Sequence, residues 1–280
     1  LTDSFQRIHN YLRISLTDKC NMRCKYCMPH EDMHFFPTKQ LMTAEEIFRM
    51  AHTFVALGVQ KIRLTGGEPL LRADANDILQ KLASLPVELL LTTNAVHLGQ
   101  QMDMLWHNGI RSVNISIDSL QESRFNAVTQ RNYFGRVMNN IYAAIEYGFH
   151  VKLNVVVMRD FNHDELCDFV SLTRDLPVHV RFIEFMPFDG NGWTTRQLYS
   201  YQDMLQSIRN EFTVEKIADA QHSTAKKYQV PGFTGTFAFI TTMSEVFCGD
   251  CNRLRLTADG KMKNCLFSAT ETDLLSALRN

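Results

Sequence analysis

The sequence predicts an α/β fold: a partial (β/α)6, TIM-like barrel over residues 1–186, followed by a smaller α+β region over residues 187–280. Two observations carry this expectation. Six short β-rich runs, at 11–17, 60–65, 87–92, 112–118, 151–157 and 179–185, alternate with helical patterns at 43–57, 73–84, 98–108, 135–147 and 164–174. Repeated β–α units with short joins imply right-handed crossovers and a parallel sheet. The second observation is that the runs alternate polar and apolar residues, whereas parallel strands buried on both faces read as continuous apolar stretches.

Each strand adds to the picture. In the first, Leu12, Ile14 and Leu16 share one face, and Arg13, Ser15 and Thr17 share the other. The second sets Ile62 and Leu64 against Arg63 and Thr65, and the fourth sets Val113, Ile115 and Ile117 against Asn114, Ser116 and Asp118. The fifth puts Lys152 and Asn154 together. A filled barrel core does not tolerate unpaired cations; a hollow, ligand-filled lumen uses them. The other reading is a sheet with one face in water, but such sheets are mostly antiparallel. Gly58, Gly109 and Gly148 each follow a helical run, where a left-handed cap ends a helix. Beyond residue 185 a Gly- and Pro-containing loop leads to a helix near 201–212 and to strand-like runs at 235–242, 253–257 and 261–266.

Composition limits the function. Lys and Arg total 29 and Asp and Glu total 30, so no global field favours nucleic acid or an anionic membrane. No run of about 20 apolar residues exists to span a bilayer, and the first residues lack the charged-then-apolar pattern of a secretory signal. The seven cysteines are odd in number, and six fall in two tight groups. Metal ligation in a reducing compartment predicts both facts; a disulfide framework predicts neither. The seventh, Cys167, sits at a helical position among apolar residues and reads as a buried free thiol.

The first group, Cys20, Cys24 and Cys27, is C-x3-C-x2-C directly after the first strand. Ligands of α/β folds gather at the carboxyl ends of strands. Three thiolates leave the fourth position of a metal site open, which marks a site that binds something. A structural zinc site completed by His30 is the alternative. The sequence TGGEP follows at 65–69, at the end of the second strand. The second group, Cys248, Cys251 and Cys265, is C-x2-C-x13-C and again supplies three thiolates; His222 is the one candidate for completing a zinc site there. Arg253 and Arg255, two apart on a strand, share a face beside it and suit a phosphate-rich anion.

The first cysteine motif together with GGEP resembles the radical S-adenosylmethionine (SAM) superfamily. With the segments LRISLTDKCNMRCKYCMP, KIRLTGGEPLLR, VNISIDSL, RFIEFMPFDGN and FCGDCNRLRLTADGK, the whole chain resembles the GTP 3′,8-cyclase family of molybdenum cofactor biosynthesis. The resemblance implies two 4Fe–4S clusters, one on Cys20, Cys24 and Cys27 and an auxiliary one on Cys248, Cys251 and Cys265. It implies SAM contacts at Tyr26, Gly67, Ser116 and Met186. GTP contacts are implied at Arg13, Arg63, Thr92, Lys152, Arg253, Leu254 and Arg255. The implied reaction is abstraction of the ribose C3′ hydrogen of GTP by a 5′-deoxyadenosyl radical, followed by C3′–C8 bond formation to 3′,8-cyclo-7,8-dihydro-GTP. Implied partners are an external one-electron reductant and a downstream cyclic pyranopterin monophosphate synthase. No nucleic acid or membrane is expected as a partner; a homodimer is compatible with the resemblance, and the expected location is the cytoplasm or the mitochondrial matrix. Two departures stand out. The family's T-T-N-G is Thr92-Thr93-Asn94-Ala95 here, and the family's C-terminal tail ending in Gly-Gly is not present before the sequence stops at Asn280. A radical SAM enzyme of another substrate class, such as a peptide-modifying one, and a zinc or electron-transfer protein are the competing readings.

Overall fold

A computed structural model describes residues 1–4, 6–28, 32–188, 190–220, 222–268 and 270–280. The six expected strands are present as β1 (Tyr11–Ser15), β2 (Lys61–Thr65), β3 (Glu88–Thr93), β4 (Ser112–Ser116), β5 (His150–Val157) and β6 (His179–Glu184). Between them lie α1 (Ala44–Ala56), α2 (Ala75–Ala83), α3 (Met102–His107), α4 (Glu122–Thr129), α5 (Phe134–Tyr147) and α6 (Leu166–Leu172). The rest of the chain forms α7 (Tyr201–Arg209), β7 (Glu215–Lys216), β8 (Lys226–Gln229), β9 (Thr236–Ile240), β10 (Arg253–Leu256), β11 (Lys261–Lys263), β12 (Thr272–Asp273) and α8 (Leu275–Arg279).

Local chemistry explains the boundaries. α1 begins in a capping box: Thr43 Oγ1 accepts the Glu46 N–H at 3.2 Å, and Glu46 accepts the Thr43 N–H at 2.8 Å. Arg279 of α8 then pairs with the same Glu46 at 2.7 Å. Gly58, Gly109 and Gly148 all have the positive φ of a left-handed helix end. The helix expected over 98–108 divides into a 3-10 turn, Leu98–Gln100, and α3. Gly99 lies in that turn because a Cβ there would meet Asn140 Oδ1 at 2.4 Å. Asn140 needs the space, since its Nδ2 donates to the Ala95 carbonyl at 2.7 Å. α4 buries Phe125 and Val128 as its apolar residues, too few to leave a periodic signal in sequence.

Twelve strands form one sheet, ordered β12-β11-β10-β1-β2-β3-β4-β5-β6-β9-β8-β7. The eight from β10 to β9 are parallel throughout, and antiparallel strands extend each edge. The strands that sequence places in an appended C-terminal region therefore join both edges of the barrel sheet. β10 lies beside β1 with Arg13 opposite Arg255, and β9 lies beside β6 with Arg181 opposite Ala238. Periodicity identifies these strands but carries no information about their partners. Leu12, Ile14, Ile62, Leu64, Val113 and Ile115 are buried on the outer face in one core with Ile47 and Phe54 of α1 and Ile78 of α2. The polar face of the same strands turns inward.

Candidate active site

The inner face encloses a cavity of about 350 Å³, within the range of small-molecule sites. Every parallel strand but β3 contributes: Arg253 and Arg255 from β10, Tyr11 and Arg13 from β1, Arg63 from β2, Asn114 from β4, Asn154 from β5, Arg181 and Ile183 from β6, and Ile240 from β9. Met186, Cys248, Cys251 and Cys265 line it as well. Thus Arg13, Arg63, Arg253, Arg255 and Met186 meet in one lumen with the second cysteine group.

Thr92 stands just outside that lining, its hydroxyl 3.5 Å from Arg63 Nη1. Ser116 is half-buried at the carboxyl end of β4, opposite Asn154. Lys152 is half-buried on β5 and lines a neighbouring hollow with Glu88, His150 and His179. Leu254 alternates away from Arg253 and Arg255, and its side chain is in the hydrophobic core.

The cations are crowded. Burial, and then Arg255, hold the Arg13 guanidinium well below its usual pKa. Burial and the neighbouring Arg63 push Arg181 down to about 9. Lys152 falls to about 8 through burial, Arg181 and Arg63. The Nε atoms of Arg13 and Arg181 and the Oδ1 atoms of Asn114 and Asn154 are buried without hydrogen-bond partners. Unsatisfied buried polar groups are costly, so this set is built for a polar, anionic guest. Arg181 is legible in sequence, since His179, Arg181 and Ile183 alternate on β6 as Arg13 does on β1.

Parallel pairing fixes where the two cysteine groups lie. Cys20, Cys24 and Cys27 follow β1, at the carboxyl end of the strands. Cys248 and Cys251 precede β10, which runs parallel to β1, so they stand at the amino end. Cys265 follows β11, which runs antiparallel to β10 and returns the chain to the same end. The second group thus lines the amino-end mouth of the lumen, while the first stands at the carboxyl end of the strands, outside the cavity's lining, with the cations between.

Around the first group, three loops lock together. The Glu68 carboxylate is buried and accepts from Leu70 N at 3.0 Å, Thr93 Oγ1 at 2.8 Å and Asn94 N at 2.6 Å. Burial pushes its pKa up to about 7. Asn94 Nδ2 donates to Asn21 Oδ1 at 2.7 Å and lies 3.7 Å from Cys20 Sγ; the Met22 N–H lies 3.4 Å from the same sulfur. Gly67 passes so close to the cysteine loop that a Cβ would sit 2.2 Å from the Lys19 carbonyl oxygen. On the other side, Tyr26 donates its hydroxyl proton to Asp118 at 2.6 Å, and Asp118 also accepts the Val156 N–H at 2.9 Å. Burial raises Asp118 to about 6. Sequence places Asp118 on the polar face of the fourth strand and Glu68 within TGGEP, but the loop-locking role of each comes from contacts between segments distant in the chain.

All seven cysteines are free thiols. Cys167 is half-buried on α6, 3.8 Å from the Ser207 carbonyl oxygen, and burial pushes its thiol up to about 12. His30 lies outside the described residues. Among the described residues, no three His, Cys, Asp or Glu side chains converge tightly enough to hold a single metal ion, as a zinc site requires. Three cysteines on one loop, with N–H donors directed at a sulfur and a glycine-lined wall opposite, fit the thiolate set of an iron–sulfur cluster.

Fold and site together define a radical SAM protein, and the profile described as the Radical SAM superfamily matches residues 14–173. A second profile, Molybdenum Cofactor Synthesis C, matches residues 178–280. "Molybdenum cofactor biosynthesis protein 1" of Mus musculus is 52% identical over all of this chain and 44% of its own length. "GTP 3',8-cyclase, mitochondrial" of Arabidopsis thaliana is 48% identical over all of this chain and 73% of its own. "GTP 3',8-cyclase" of Listeria monocytogenes is 39% identical over 98% of this chain and 84% of its own. The chain belongs to the GTP 3′,8-cyclase family. It spans about half the length of the animal relatives it matches. Among solved structures, Streptococcus suis SuiB bound to S-adenosylmethionine shares the fold at 15% identity, with a TM-score of 0.68 over 98% of this chain and 66% of that one. No described helix is long and apolar enough to cross a membrane.

Proposed function

We propose that this chain converts GTP to 3′,8-cyclo-7,8-dihydro-GTP, the first step of molybdenum cofactor biosynthesis, using SAM and two 4Fe–4S clusters. The observation that carries the proposal is the lumen itself, where the buried or part-buried Arg13, Arg63, Arg181, Arg253 and Arg255 stand with Cys248, Cys251 and Cys265, and the Nε atoms of Arg13 and Arg181 are left without partners. Residues 1–186 hold the SAM half: Cys20, Cys24 and Cys27 ligate the first cluster, and Tyr26, Gly67, Ser116 and Met186 bound the SAM pocket. When loaded, this cluster and SAM supply the 5′-deoxyadenosyl radical. Residues 187–280 bring Cys248, Cys251 and Cys265, which would hold a second cluster and would present it to the guanine base.

The chain's own residues bind and orient. Arg13, Arg63, Arg253 and Arg255, with Lys152 and the additional Arg181, take the triphosphate through charge-assisted hydrogen bonds. Tyr11 and the Leu91 carbonyl accept from Arg63 and hold it in place, Thr92 stands beside it as a further GTP contact, and the Leu254 backbone keeps its two flanking arginines on one face. The walls keep the reacting sugar out of bulk water, which protects it from side reactions. An external one-electron reductant and a downstream pyranopterin-forming enzyme complete the expected context, in the cytoplasm or a mitochondrial matrix.

The test is anaerobic reconstitution, with iron and sulfide counted and GTP then added. About eight irons per chain, with GTP perturbing the spectrum of one cluster, support the reading. Zinc with no iron overturns it. A protein that cleaves SAM but ignores GTP points to another substrate class.

A further inference from the structure

Sites that bind a nucleoside triphosphate as its magnesium complex hold the ion with one or two carboxylates together with the phosphates. Among the described residues that line this lumen there is no Asp or Glu. Asp3 and Glu88, which lie near the cations, are already ion-paired, Asp3 with Arg7 at 2.6 Å and Glu88 with Lys61 at 2.8 Å. Asn114 and Asn154 offer only neutral amide oxygens.

We propose that the lumen binds the triphosphate as the metal-free anion, so that Mg²⁺ competes for the substrate instead of escorting it. The inference rests on GTP being the substrate. Arg13, Arg63, Arg181, Arg253 and Arg255 occupy the ground that a hydrated ion needs. A magnesium complex carries two further positive charges into this space, along with waters that the ion gives up reluctantly. The guanidiniums already repel one another: burial and Arg253 hold Arg255 down to about 10. The buried, unpartnered Nε donors of Arg13 and Arg181 are complements for phosphate oxygen and can ligate no metal.

The test is equilibrium dialysis of GTP against the reconstituted protein at ionic strength held constant with NaCl. One arm uses metal-depleted buffer and the other rising MgCl2. Free Mg²⁺ at a hundredfold excess over its dissociation constant from GTP leaves ~1% of the nucleotide metal-free, and the apparent Kd then rises roughly 100-fold. Equal affinity in the two arms, or tighter binding with Mg²⁺, overturns the inference and leaves GTP standing as substrate. Absence of GTP binding in both arms overturns the substrate reading, and the inference with it.

Discussion

The Glu184 carboxylate accepts the backbone N–H of Met243 at 2.7 Å, tying the end of β6 to the loop that leads into Cys248. The same carboxylate accepts Ser244 N at 2.9 Å, the Ser244 hydroxyl, and Tyr201 N at 2.8 Å at the start of α7. Glu184 is fully buried, so water cannot replace it. Each donor stranded by Glu184→Ala costs about 1–3 kcal/mol. The second cysteine group then loses its anchor, and reconstituted iron falls by about half while the first cluster is retained. Glu184→Gln, which keeps one acceptor oxygen, restores part of the loss. Unchanged iron in Glu184→Ala rejects this tie; iron and sulfide assays with cluster spectra decide it.

Gly67→Ala drives a Cβ into the Lys19 backbone carbonyl, and a carbonyl fixed by the Glu68 N–H at 2.8 Å has no easy retreat. Overpacking of this kind costs about 1–3 kcal/mol. The expected outcome is a lower melting temperature and loss of SAM binding, measured by thermal denaturation and by SAM titration. A variant that binds SAM normally contradicts the close-packed wall.

Ala95 has φ +63 and is fully buried, so the family's glycine position does use the left-handed region. Ala95→Gly relieves about 1–2 kcal/mol of strain. It also loses about 0.8 kcal/mol of buried methyl and adds roughly 0.5–1 kcal/mol of chain entropy cost. The terms nearly cancel, and denaturant unfolding is expected to show a net change below about 1 kcal/mol. A gain well above that value means that the strain is larger than these terms allow.

On the proposed reading, Lys152, held to about 8 by burial, Arg181 and Arg63, is expected to make GTP binding pH-dependent. The free protein loses this proton as pH rises through 8, and the bound triphosphate favours keeping it. Affinity falls above that pH by up to about tenfold per pH unit. Lys152→Met, assayed by GTP titration between about pH 7.5 and 9, flattens the slope; a persistent slope assigns it to another group. The effect on folding has the opposite sign. The unfolded chain, with its Lys near 10.4, binds more protons in this window, so stability rises with pH there.

The alternation of Arg13, Arg63, Asn114 and Asn154 with apolar neighbours was enough to infer a lumen, because side-chain period reports which face is wet. The cysteine spacings were legible for the same local reason. What the chain's order does not encode is adjacency. β10 joins β1, and β9 joins β6, through pairings that no window of sequence contains. The placement of the second cysteine group at the amino end of the strands follows only from that pairing. Glu68, Asp118 and Glu184 look like ordinary polar residues near strand ends until distant backbone N–H groups converge on them.

The register of Arg13 against Arg255 sets the order in which this protein can be completed. The edge of β1 leaves the ribosome long before its partner strand β10 is made. Loop-closure entropy delays such long-range pairing, and until it forms the β1 edge lies open to wrong partners. The closing step also forces arginines together against their own repulsion. An anion that enters the lumen offsets that repulsion, and so favours the strand closure that creates its own site.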